Sequence, residues 1–398
     1  MNVHLQRLME IAQRPERRIL GLMSGTSMDG LDLALCRISG QGQGTRVHLE
    51  RFATIPFAEE VKDRIRAVFA RREVNFQYLT VLNPWLGRFH ARLILEQLAA
   101  WGVAPAEVDV IASHGQTVFH APRILHGMEG YPDATLQIGD GDHIAVGTGI
   151  ITLSDFRQKH IAAGGEGAPL ALYGDYFLFS DPEEHRVMLN LGGIANFTFL
   201  PANAGAKAAF VTDTGPGNTI LDALARRDFG LPYDEDARIA RAGQPHAALL
   251  RALKEDAFFQ KPFPRTTGPE LFNLEYLDAA VQRSQAGALS SADLMATLVR
   301  FSAETIAEAV GQACRPGLAY TCYLSGGGMH NPALTEALQA LLPQARLRRT
   351  DELGISGDAK EAVLFAVLAN ETLAGGFTSF GNRPGIPSVA MGKISLPG

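Results

Sequence analysis

Apolar residues fall along this chain in short runs and alternations interrupted by glycine, and one such layout occurs twice. Residues 19–23 read as a buried strand, residues 25–30 as a turn of small and hydroxyl side chains, and Leu31, Leu33 and Leu35 then alternate with Asp32, Ala34 and Cys36. A period of two on either side of a tight turn predicts antiparallel strands. Val47, Leu49 and Phe52, beyond the flexible turn 40–44, predict a third. Val61, Ile65, Val68 and Phe69 recur at helical spacing, so helices are expected over 58–72 and about 75–101, covering a sheet face. Short strands follow at 108–112, ending in Ser113-His114-Gly115-Gln116-Thr117, at 135–138, ending in Gly139-Asp140-Gly141, and at 149–153, entering Ser154-Asp155-Phe156-Arg157. The small-residue run 162–169 reads as an interdomain hinge or pocket wall.

The layout then repeats. Residues 187–200 carry an apolar strand, a glycine turn and a second apolar strand, an echo of the opening hairpin that suggests duplication. A strand at 210–212 runs into Asp213-Thr214-Gly215-Pro216-Gly217-Asn218, and a helix starts at once. Residues 233–260 read as largely helical and 262–273 as a loop. A helix over 291–314 shows Leu294, Leu298, Phe301, Ile306 and Val310 at helical intervals, and a strand at 318–324 ends in Ser325-Gly326-Gly327-Gly328. The last helix is expected over 358–374. Strands alternating with helices, with polar groups at strand ends, predict an α/β fold of two related domains around a ligand cleft. The expected division is 1–155 plus 376–398 for the first domain and 156–375 for the second.

Composition narrows the partners. The chain has 398 residues, 46% of them hydrophobic and 20% charged, which is enough for two ordinary cores. A net charge of −6 argues against nucleic acid or an anionic membrane as the main partner, since either favours a basic face. Cys36, Cys314 and Cys322 lie in apolar runs without metal or redox spacing, which points to buried free thiols. The start of the chain is charged and helix-like, and no run of 18 uncharged apolar residues occurs. The expected compartment is the cytoplasm.

Three glycine-rich turns carry the candidate chemistry. Gly25 and Gly30 allow backbone N–H groups to approach an anion, Thr26 and Ser27 add hydroxyl donors, and Asp29 is placed to hold a magnesium shell. The bland alternative is a hairpin whose glycines serve only its backbone. Asp213 ends an apolar strand before a helix, as a general base or as a simple turn former. The three glycines 326–328 permit a flat ligand or a phosphate to reach bare backbone, or serve as a plain connection. Neither the spaced Rossmann fingerprint nor a P-loop occurs. His114 and His120 lack companions at zinc spacing, so they are structural or touch substrate. Arg157, Lys159 and His160 form a basic run that either is solvated or meets an anionic substrate group. Met23, Met28 and Met329 are read as packing.

Taken together, Gly-Leu-Met-Ser-Gly-Thr-Ser-Met-Asp-Gly-Leu-Asp, Ser-His-Gly-Gln-Thr, Leu-Gln-Ile-Gly-Asp, Gly-Gly-Glu-Gly-Ala-Pro-Leu, Asn-Leu-Gly-Gly-Ile-Ala-Asn, Asp-Thr-Gly-Pro-Gly-Asn and Ser-Gly-Gly-Gly-Met-His-Asn-Pro resemble the anhydro-N-acetylmuramic acid kinases over nearly the whole chain. The resemblance implies two duplicated actin-like (ribonuclease-H-like) domains that close over ATP and magnesium, and a homodimer. It implies opening of the 1,6-anhydro ring of a bacterial cell-wall sugar with phosphorylation of its O6, for peptidoglycan recycling. By resemblance the ATP-binding loop is Gly25, Thr26, Ser27, Met28, Asp29, Gly30, Leu31 and Asp32, with Asp29 on the metal, and the catalytic aspartate is Asp213. Gly326, Gly327 and Gly328 are expected by the adenosine, and His114, Gln116, Arg157, Lys159, Glu166 and Glu361 by the sugar. Glu361 matches a glutamate associated with domain closure. Where many members read Asp-Phe-Arg-Arg-Arg-Asp and Gly-Gly-Gln-Gly, this chain has Gln158, Lys159, His160 and Glu166. A lysine does not replace a bidentate arginine, and Glu166 would repel a lactyl carboxylate unless paired. A kinase for a related anhydro-sugar and a non-catalytic nucleotide-binding module are the alternatives.

Overall fold

The computed structural model describes every residue except Met1, Thr26, Ser27, Pro316, Phe377 and Asn382. The chain forms two compact units, one of Met1–Phe179, Gly205–Lys207 and Gly354–Gly398, the other of Ser180–Ala204 and Ala208–Leu353.

In the first unit β1 (Glu16–Ser24), β2 (Gly30–Ser39) and β3 (Arg46–Pro56) make the expected antiparallel meander. β4 (Val110–Ala121) runs parallel to β1, β5 (Ala134–Ile138) pairs antiparallel with the far half of β4, and β6 (Thr152–Ser154) runs parallel to β4. The C-terminal strand Lys393–Ser395 closes the edge on β6. The long helix Phe76–Ala100 sets Leu93, Ile94 and Leu98 against Leu20, Leu22, Leu31, Leu33, Leu35 and Ile111 of the strands. Each such fully buried side chain contributes about 1.5–3 kcal/mol of transfer free energy. On β1, Gly21 admits the helix Lys360–Ala374: a Cβ there would stand 1.9 Å from the carbonyl oxygen of Ala362.

The second unit repeats the plan. β7 (Arg186–Leu191), β8 (Ile194–Leu200) and β9 (Phe210–Pro216) form an antiparallel meander, while β10 (Tyr320–Ser325) runs parallel to β7 and β11 (Ala345–Arg349) parallel to β10. The order β9-β8-β7-β10-β11 matches β3-β2-β1-β4-β6 of the first unit in sequence of strands and in direction. The helix Ser291–Ala313 buries Met295, Leu298, Phe301, Ile306 and Val310 in the core with Leu189, Leu191, Phe197 and Cys322. An α/β chain of two duplicated units is what this shared topology describes.

Two expectations need correction. The strand expected to stop at residue 112 continues to Ala121, because β5 gives its second half a partner; Gly115, at φ +79°, lies where the register of β4 against β1 shifts between Ser113 and Gln116. Ser113 to Thr117 therefore lie within a strand. The expected boundaries at 155 and 375 also shift: the helices Phe156–Ala162 and Ala171–Phe179 belong to the first unit, and Lys360–Ala374 packs on β1, β2 and β4. That helix is apolar almost all round, with Val363, Phe365, Val367 and Leu368 buried, so it needs cover on several sides. All three cysteines are buried and free.

Candidate active site

The residues singled out by sequence fall in two groups, one in each unit. In the first, the β1–β2 turn is held from beneath. Gln116, fully buried, accepts from Ser24 Oγ at 2.6 Å through Oε1 and donates through Nε2 to the carbonyl of Gly25 at 3.0 Å. Its amide thus shapes the turn and is not presented to a ligand. Thr26 and Ser27 lie outside the described residues. Met28 adopts φ 59° and packs on the core, while Leu31 is buried within it. Gly30 has a packing reason: a Cβ would come within 2.4 Å of the Ile55 carbonyl on β3. Asp29 is exposed, and Asp32, half-buried, accepts from Thr54 Oγ1 at 2.6 Å. Burial raises the Asp32 pKa above the usual carboxylate range, Thr54 opposes the shift, and Asp358 adds to it.

Within β4 the buried His114 is fixed in one tautomer. Nδ1–H donates to the Gly115 carbonyl at 2.7 Å, so Nε2 accepts from Arg157 Nε at 2.8 Å. Burial first, then the Arg157 charge, pushes the imidazole down to about 3, so it stays neutral. Arg157 Nη1 also donates to Gly167 O at 2.7 Å, and the Gly167 N–H donates to His160 Nδ1 at 3.0 Å. Two members of the basic run therefore grip one residue of the small-residue loop, through the peptides on either side of it. Gly165 is obligatory there, since a Cβ would lie 2.2 Å from the His160 ring. Lys159 and Glu166 stand exposed. Glu361 opens the helix Lys360–Ala374; although the residue is accessible, the protein crowding its carboxyl raises its pKa, with Arg157 lowering it and Asp32 raising it. Arg157, His114, Glu361 and Asp32 thus form one electrostatic group. A polar cavity of about 420 Å³ in this unit is lined by Ser113, His114, Gln137, Asp140 and Ser154 among others.

In the second unit the strand expected to stop at residue 212 continues to Pro216 on β8, so Asp213 lies in the middle of β9, opposite Asn196 and beside a register shift at Ala195 and Asn196 that re-aims the strand. Its Oδ2 accepts the Thr267 N–H at 2.8 Å. Burial pushes this carboxyl up to about 6; the Thr267 bond and the Arg265 charge oppose the shift, and Glu270 adds to it. The hydroxyl oxygen of Thr267 is buried and has no hydrogen-bond partner among the described residues, a polar atom left over beside the carboxylate. The turn between β7 and β8 is tied to the residues after Asp213: Gly217 N–H reaches Gly193 O at 2.8 Å and Asn218 N–H reaches Gly192 O at 2.9 Å. Gly326 and Gly328 pack on β7, where a Cβ would meet Asn190 Oδ1 at 2.6 Å and Leu191 Cβ at 2.8 Å, and Gly327 faces open space. A cavity of about 380 Å³ adjoins this turn, lined by Asn218, Asp222, Tyr233, Gly327, Gly328 and His330 among others.

Sequence reasoning missed Arg265 and Thr267, which lie in a stretch without periodic pattern, and also Asp222 and Tyr233. Only the Thr266-Thr267-Gly268 run marked that loop as polar.

The sequence model of the anhydro-N-acetylmuramic acid kinase family matches residues 17–387. Among curated proteins, the anhydro-N-acetylmuramic acid kinase of Pseudoalteromonas atlantica is 52% identical over 400 residues, covering 100% of each chain. That of Pseudoalteromonas translucida is 51% identical, again over 100% of both. That of Caldanaerobacter subterraneus is 36% identical, over 98% of this chain and 100% of its own.

Proposed function

We infer the function from one premise: this chain belongs to the anhydro-N-acetylmuramic acid kinase family. It is an ATP-dependent sugar kinase, and its substrate is anhydro-N-acetylmuramic acid. The observation that carries the chemical assignment is the Asp213 carboxylate, fixed by the Thr267 N–H and raised to about 6, where a base is both ionised at neutral pH and able to take a proton.

In the proposed reaction Asp213 takes a proton from a water whose oxygen bonds to the anomeric carbon. The bond from that carbon to the bridging oxygen breaks, the bridging oxygen becomes O6, and O6 bonds to the γ-phosphorus as ADP leaves. Asp213 then returns its proton to solvent. The protein contributes position and charge rather than covalent chemistry. On this reading the β1–β2 turn binds the ATP phosphates, Gly327 and the cavity beside it take the adenosine, and Arg157, Lys159, Glu166 and Glu361 border the sugar, with His114 and Gln116 supporting from behind.

Magnesium fits the first turn in one way. Among the described residues no three His, Cys, Asp or Glu groups converge, so no all-protein cage exists, and Asp29 offers one exposed carboxylate. A magnesium ion that keeps most of its waters and shares the substrate phosphates needs no more than that. When bound it would supply positive charge to the phosphates. The homodimer and the cytoplasmic location implied by the family belong to the same reading; among the described residues no helix is long and apolar enough to cross a membrane.

The test is ADP release with a panel of anhydro-sugars and their open-ring forms. Release with anhydro-N-acetylmuramic acid, and formation of its ring-opened 6-phosphate, is expected. Activity on open-ring sugars alone would remove the ring-opening step, and no ADP from any sugar would remove the kinase assignment.

A further inference from the structure

A buried cation stands behind the proposed base. Arg265 is 6% exposed, and among the described residues it makes no ion pair. Its guanidinium donates to main-chain carbonyls instead: Nε to Asp213 O at 3.3 Å, Nη1 to Phe259 O at 2.9 Å and to Phe258 O at 3.4 Å. Three rings surround it, with centroids 4.7 Å (Phe258), 5.0 Å (Phe263) and 5.9 Å (Phe259) from its central carbon. Its own backbone continues the link, since Arg265 N–H donates to Thr212 Oγ1 at 3.1 Å and Asp213 N–H donates to Arg265 O at 3.0 Å.

An unpaired buried charge is expensive, and for joining a loop to a strand a neutral side chain would serve at less cost. The charge therefore asks for a reason. The loop that Arg265 ties to β9 delivers the Thr267 N–H to Asp213 Oδ2 two residues later. We propose that Arg265 is the positioning residue of the proposed base: it locks the loop 258–267 onto the middle of β9, so that the Thr267 N–H orients the Asp213 carboxylate, and it supplies the positive charge behind that carboxylate. The inference rests on the reading of Asp213 as the base.

The charged groups near Asp213 are Arg265 and Glu270, of opposite sign, and Glu308 of the helix Ser291–Ala313 acts on Arg265 while itself pairing with Lys254. Arg265 favours the ionised carboxylate, so loss of its charge moves the titration of Asp213 to higher pH.

The experiment compares Arg265→Lys, Arg265→Gln and Asp213→Asn with wild type in steady-state ADP release, with thermal unfolding to establish folding. In Arg265→Gln kcat should fall at least about thirtyfold with both KM values within about threefold, because misplacement of a catalytic group acts on the chemical step. The acid limb of its kcat/KM profile should move up by at least about half a pH unit. In Arg265→Lys the limb should stay near the wild-type position while kcat falls at least about tenfold, because the charge remains and the planar fork does not. A folded Arg265→Gln with the limb unmoved, or with KM rising and kcat unchanged, overturns the proposal. If Arg265→Gln does not fold, Arg265→Lys decides: the tenfold loss in kcat supports the proposal, and kcat within about twofold of wild type overturns it. Undiminished turnover in Asp213→Asn would instead overturn the reading of the base itself.

Discussion

Gln116 is completely buried, and its amide ties Ser24 and Gly25 of the first turn to β4. Its polarity marked it in the sequence as a ligand contact, but the partners that absorb both ends of the amide lie some ninety positions away and no spacing rule points to them. Replacing it by leucine leaves Ser24 Oγ and the Gly25 carbonyl to find new partners at a cost of about 1–3 kcal/mol. Gln116→Leu should raise KM for ATP several-fold with a lowered urea midpoint; an unchanged KM would mean that the turn does not depend on this strut. Asp213 was legible as a candidate, since an aspartate after an apolar run and before glycines and a helix is conspicuous, although spacing alone left it as a base or a turn former. The groups that tune it were not. Its elevated pKa carries a stability consequence with a definite sign. A carboxyl ordinarily at 3.8 and raised to about 6 in the folded protein binds its proton more tightly when folded, so stability falls as pH rises between those values. The burial cost is fully felt above about pH 6 and amounts to no more than ~3 kcal/mol. Asp213→Asn should therefore unfold at a higher temperature than wild type at pH 7, with the difference vanishing near pH 4 or below. Equal melting temperatures at pH 7 would contradict the strained carboxylate.

Among the elements, the two meanders were readable because alternation of apolar and polar positions survives in β2 and β3 and apolar runs mark β1 and β7. β4 was cut short because Ser113, His114 and Gln116 look like the polar end of a strand. Their burial depends on β5 and on Arg157, neither adjacent in sequence. The helix Lys360–Ala374 was recognisable as a helix, but its position was not, since contact with β1 is made through the absence of a side chain at Gly21. Gly21→Ala sets a methyl group against the Ala362 carbonyl and must push this helix from the sheet. A loss of about 2–4 kcal/mol is expected in denaturant unfolding. A loss below about 0.5 kcal/mol would show that helix and strand are less closely joined.

At the scale of the whole molecule, the echo of one glycine hairpin in another was the visible trace of a duplication that the strand orders make explicit. The segment Gly354–Gly398 belongs with the first unit through packing between the two ends of the chain, which local patterns do not report. The two units hold the parts assigned to the reaction separately: the phosphate turn and the Arg157 group in the first, Asp213 with its Arg265 support and the cavity by Gly327 in the second. The central claim is that Asp213 is the base of a ring-opening phosphorylation. It is tested most directly by ADP release from ATP and anhydro-N-acetylmuramic acid, measured from about pH 5 to about pH 8 on wild type and Asp213→Asn. The expected wild-type kcat/KM rises through about pH 6 to a plateau, and the variant loses about 10²–10⁴ in kcat at every pH. A variant that turns over within about threefold of wild type, or a wild-type profile without the acid limb, would contradict the account.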